Sequence, residues 1–213
     1  MTSARDVRDA ERGAERLAYF TDAVCAFALT LVILPLVDTA RELSGATAAS
    51  FFADNGAALV AAAISFVVIS LFWSNHHRLF TRVISWNRTI VNVNLLWLAG
   101  ICFLPLATVI EVGASPQDAL AKGIYVGAIL ATMITGRVEE LLLVRMGGIE
   151  PQHVRSRVDQ SLTWTPVALV AVALVVSVTV PAIGLWSMLL AAFARPIGAL
   201  VRRYAAHRSE AGT

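Results

Sequence analysis

Six ionisable side chains stand at the edges of apolar sequence: Arg16, Asp22, His76, His77, Glu139 and Glu140. Lipid supplies no water to solvate such groups, so each needs a protein partner or a water-filled vestibule. That makes them candidates for ion conduction, metal ligation or acid–base chemistry. Arg16-Leu-Ala-Tyr-Phe20-Thr21-Asp22 leads directly into an apolar run from Ala23 to Val37 that only Thr30 interrupts. His76 and His77 are adjacent, which invites a metal site. Neighbours on a helix point about 100° apart, however, and no Cys, Asp or Glu follows at i+3 or i+4 to complete one. The stretch from Phe72 to Phe80, with Trp73, both histidines and Arg78, therefore reads as an interfacial anchor, and no metal is expected.

Long apolar helices must position these groups. Hydrophobic residues make up 57% of the 213-residue chain and charged residues 15%, which excludes an ordinary soluble domain. The net charge of +2 gives no reason to expect a nucleic-acid partner. Cys25 and Cys102 both fall in apolar sequence and read as small buried hydrophobes, with no disulfide framework. A bilayer core needs about 20 apolar residues per helix, and six stretches qualify: roughly 19–37, 57–75, 90–110, 119–137, 162–180 and 182–201. The mixed charge of the leader marks the first as a retained helix, with no cleaved signal. The expected fold is all-α: one six-helix membrane domain over 1–204 and a disordered polar tail over 205–213. Six spans place both termini on one side, and 14 of the 17 basic residues fall there. By the positive-inside rule that side is cytoplasmic.

The Arg16-x-x-x-Phe20-Thr21-Asp22 pattern ahead of such a helix resembles the signature of the transmembrane protein 175 family of potassium channels. Trp73 followed by His76-His77-Arg78, then Asn94 and Pro105, also match the family pattern. The resemblance covers the first three spans; the other three match only in length and hydropathy. It implies a homotetramer in which the first helix of each subunit lines a shared pore, conducting potassium passively and without a cofactor. Phe27, Leu31 and Leu34, at spacing i, i+4, i+7, would form the hydrophobic constriction, with Phe27 standing where a branched aliphatic residue is usual. Thr30 lies close to that face. Its hydroxyl either bonds back to a carbonyl one turn earlier or meets a partly dehydrated cation. Arg16, Phe20, Thr21, Asp22, His76, His77 and Asn94 would form a structural polar cluster, with one of the two histidines bonding into the Arg16–Asp22 pair. Asn92 and Asn94 need partners in lipid and should face other helices.

Other functions are weaker fits. Glu139-Glu140 with Arg145 is similar to the paired-glutamate motif of intramembrane prenyl-protein endopeptidases, but the spacing is one residue too long. The supporting histidine elements are also missing: His153 and His207 lie outside the spans. The two glutamates are expected on a solvated helical extension, and with no nucleophile beside a base, no catalytic residue or enzyme activity is assigned. A Thr-Val-Gly-Tyr-Gly filter and an arginine ladder are both absent. The alternatives are a proton- or solute-coupled transporter and a non-conducting scaffold. In every case the expected location is a prokaryotic cell membrane, with lipid as the surrounding partner.

Overall fold

The computed structural model describes residues 4–42, 45, 47–150 and 164–180. The regular elements among them are six helices: α1 (Ala4–Arg41), α2 (Ala48–Asp54), α3 (Gly56–Phe80), α4 (Arg88–Gly113), α5 (Ala119–Arg145) and α6 (Thr165–Thr179). Four of these (α1 from Glu15, α3, α4 and α5) are long and apolar enough to cross a membrane. The fold is all-α, and the chain is a multi-pass membrane protein. The expected fifth span appears as the 15-residue α6. The expected sixth span, 182–201, and the tail, 205–213, lie outside the described residues.

Polar side chains cap the starts of α4 and α5. Asn87 accepts from the Ile90 amide and opens α4, while Asp118 accepts from the Leu120 and Ala121 amides and opens α5. Helix α5 stops where Gly147 takes φ +67, a conformation that side-chain-bearing residues avoid. The Gly148 amide then donates to the Leu143 carbonyl and the Gly147 amide to Val144, the paired bonds of a Schellman stop. From there the chain runs beside the α3–α4 loop through an antiparallel bridge between Val83 and Ile149. The connection after α1 holds the short α2, capped by Thr47.

Helix α1 packs on α3 and α4, α4 on α5, and α5 on α6. Cys25, Ala28, Val32 and Leu36 form the inner face of α1, against Ile69 of α3 and Trp97, Ile101 and Leu104 of α4. Tyr125, Val126 and Ile129 of α5 and Val170 of α6 complete this core. Small residues permit the close approach of α4 and α5: a Cβ on Gly100 would collide with the Thr132 hydroxyl. Pro105 is buried inside α4 and Pro35 lies exposed inside α1.

Candidate functional site

The start of α1, the end of α3, the start of α4 and the end of α5 meet at one end of the bundle, and the polar residues gather there. Asp22 accepts a hydrogen bond from Trp73 Nε1 at 2.8 Å, and His77 Nδ1 lies 3.6 Å from its other oxygen. Trp73 and His77 are one helical turn apart on α3, so both reach the same carboxylate. One position earlier on α1, the fully buried Thr21 hydroxyl donates to Asn94 Oδ1 at 3.2 Å. Asn94, also fully buried, places its Nδ2 2.8 Å from His76 Nε2. The His76 ring is held between Phe80 and Trp97, with centroids at 4.2 and 4.4 Å and nearly parallel planes.

The two histidines thus have separate roles. His77 pairs with Asp22, while His76 belongs to a second, buried chain through Asn94 to Thr21. Two expected members stay out of the cluster. Arg16 is exposed and makes no hydrogen bond or ion pair among the described residues, and Phe20 is exposed as well. Six positions separate Arg16 from Asp22, which turns them to different sides of α1. Asn92 is exposed too; two positions on a helix rotate a side chain by about 200°, so with Asn94 inward Asn92 cannot be.

The glutamates of α5 require a correction. Helix α5 does extend past residue 137, as expected, but Glu139 is completely buried, with His76 Nε2 3.4 Å from Oε2. Neither of its oxygens has a hydrogen-bond partner among the described residues. Arg137 is also buried and pairs with Glu140. The α5 terminus packs against the bundle, so these charges stand inside protein where the alternating pattern suggested solvent. No group of three His, Cys, Asp or Glu side chains among the described residues is arranged to hold a metal.

The expected constriction residues lie on a different side of α1 from its packed face. Phe27 is 64% exposed and Leu34 44%, and Leu31 is partly covered. The Thr30 hydroxyl donates to the Phe27 carbonyl at 2.7 Å, which uses its proton and leaves its lone pairs. At the opposite end of the bundle, Ser65 bonds to both Thr108 and Tyr125 at 2.8 Å, and Lys122 pairs with Glu111 at 3.7 Å. Sequence reading missed this second polar group, whose members lie on α3, α4 and α5.

Residues 16–105 match the family described as endosomal/lysosomal potassium channel TMEM175. A potassium channel of Chamaesiphon minutus is 30% identical over 122 residues, covering 56% of this chain and 60% of the relative. A potassium channel of Streptomyces collinus is 36% identical over 97 residues, 44% of this chain and 45% of the relative. The matches thus span 60% and 45% of the length of these relatives, both described as potassium channels. The crystal structure of a lysosomal potassium-selective channel TMEM175 homolog from Chamaesiphon minutus superposes with a TM-score of 0.69. That likeness covers 88% of this chain and 98% of the other at 23% identity, and it concerns the fold.

Proposed function

We propose, on the premise that this chain belongs to the TMEM175 family through residues 16–105, that it is a potassium-permeable cation channel. Four copies place α1 around a common axis, because one bundle of this size encloses no central bore. The end of the bundle that carries the polar cluster is cytoplasmic.

The observation that carries this reading is the rotation of α1. Thr21, Cys25, Ala28, Val32 and Leu36 are buried against the bundle, and the Thr21 and Asp22 bonds fix that rotation from the helix entrance. The Phe27–Leu31–Leu34 stripe then lies about 130° around from the packed face, available to other subunits. Three apolar rings in series disfavour water in a narrow bore, so conduction is slow and depends on side-chain size. Thr30 supplies hydroxyl oxygens beside those rings. The description of both relatives as potassium channels supports potassium as the permeant ion. The ion passes down its gradient, with no cofactor.

Reconstitution in liposomes tests the proposal. Potassium efflux should exceed sodium efflux under matched gradients, and native mass spectrometry should give a tetramer. Absence of cation flux together with a monomeric mass would sink the channel reading. Ion uptake that required an opposing proton gradient would favour the transporter, although the half-buried Glu111 and the buried Glu139 lie toward the helix ends, away from mid-span.

A further inference from the structure

We propose that the cavity between the start of α4 and the end of α5 binds the headgroup of an anionic phospholipid. The cavity measures about 280 Å³, close to the ~300 Å³ at which small-ligand pockets begin. It lies at the same end of the bundle as the polar cluster. Its wall consists of Asn87, Thr89, Ile90, Leu142, Arg145 and Met146, so half of it is apolar and no carboxylate of the described residues lines it.

The polar groups of that wall have donors to give. Asn87 uses its side-chain oxygen on the Ile90 amide, which leaves its Nδ2 hydrogens to donate. The exposed Thr89 hydroxyl and the exposed Arg145 guanidinium make no hydrogen bond or ion pair among the described residues. Arg78 and Arg137, at the same end of the bundle, are already held: the first by the Ser74 carbonyl and the Asn75 side-chain oxygen, the second by Glu140. A guanidinium and two further donors, with no carboxylate to balance the charge, match a phosphodiester, whose oxygens only accept.

The apolar half of the wall selects a lipid over a free anion. Ile90, Leu142 and Met146 offer nothing to inorganic phosphate, whereas they suit the glycerol and first methylenes of a phospholipid. Exposed apolar residues continue from the cavity along both helices. Leu96 stands seven positions along α4 from Thr89, and Val138 four positions back along α5 from Leu142, so each shares a face with a lining residue. Acyl chains leaving the cavity toward the membrane core therefore run along apolar side chains. Arg145 closes α5 beyond its apolar stretch, the depth at which a cation meets headgroups rather than hydrocarbon.

The site does not rest on the channel reading, and its test needs no ion flux. The purified full chain is titrated with phosphatidylglycerol or phosphatidylcholine in mild detergent, and retained lipid is counted by native mass spectrometry. Wild type should retain phosphatidylglycerol in preference, one molecule per chain being the last to leave. Arg145→Gln should weaken that retention about tenfold or more, and Thr89→Val severalfold. Arg145→Lys keeps the charge but loses the planar fork, and should fall between wild type and Arg145→Gln. Arg78→Gln removes an equal charge from the same end and should leave retention unchanged. Equal retention of the two lipids by wild type overturns the proposal, whether or not the variants fold. So does an equal loss in Arg78→Gln, which would make the preference one of general charge. Displacement of the lipid by equimolar inorganic phosphate overturns it too, since the ligand would then be a free anion.

Discussion

The indole nitrogen of Trp73 donates to Asp22 across 2.8 Å, joining the end of α3 to the entrance of α1 at the membrane boundary. The same carboxylate lies 3.6 Å from His77, so one acidic side chain holds two groups of the neighbouring helix. An acceptor here fixes both the rotation and the depth of α1. Removing it leaves the Trp73 indole N–H to find water.

Asp22→Ala should lower the melting temperature of the purified protein and reduce the yield of tetramer. Asp22 is only partly buried, so the expected cost is about 1–2 kcal/mol, and Asp22→Asn, which still offers Trp73 an acceptor, should recover about half of it. Thermal unfolding in mild detergent with native mass spectrometry makes the comparison. Unchanged stability in Asp22→Ala would mean that the pair ties nothing down.

Asn94→Leu should cost more, about 2–4 kcal/mol, because it strands a buried hydroxyl and a buried imidazole together. Asn92→Leu, on the exposed side of the same helix, should be nearly neutral. Equal losses from the two would contradict the inward placement of Asn94.

Leu31→Ala should raise cation flux in liposomes and weaken discrimination between potassium and sodium, since it opens one apolar ring. Ile33 supplies the control. It is 47% exposed and sits about 160° around α1 from Leu31, so Ile33→Ala loses little packing and leaves the stripe intact. A flux change in the Ile33 variant alone would move the pore face elsewhere.

Gly100→Ala should destabilise the α4–α5 contact by about 1–3 kcal/mol, because the new methyl meets the Thr132 hydroxyl. Among the described residues that hydroxyl bonds to the Ala128 carbonyl within its own helix, so Thr132→Ala removes it cheaply. The double variant should be more stable than Gly100→Ala alone, measured as a melting temperature. No recovery would place the collision with another group.

Much of this architecture was legible because lipid enforces it. The apolar runs fall within α1, α3, α4 and α5, although α1 begins 15 residues before its run and α5 ends eight after it, and the polar residues at the start of α1 and the end of α3 do meet. Composition carries no register, however, and register decided the rest. His76 and His77 have opposite neighbours because adjacent positions look in different directions, and the choice between Asn92 and Asn94 was likewise one of phase. Arg16 belonged to the signature yet faces outward, six positions and a partial turn from Asp22. Glu139 was read as solvated because charges at a helix end usually are. Its burial follows from where α5 docks beside α3, a contact between Glu139 and His76 that local spacing cannot encode.

Helix α1 runs unbroken for 38 residues, of which the apolar span takes up 27. The eleven residues before Glu15 therefore carry the same rod roughly 16 Å beyond the span. The proline within it, Pro35, comes after Phe27, Leu31 and Leu34, so no helix-breaking residue lies between the projecting arm and the stripe. The rod is gripped before it reaches Thr21 and Asp22: Gly13 lies against the Trp86 ring, and Leu17 and Ala18 pack with Phe80 and Leu143, so the facing of the stripe is set from outside the apolar span as well as from its entrance.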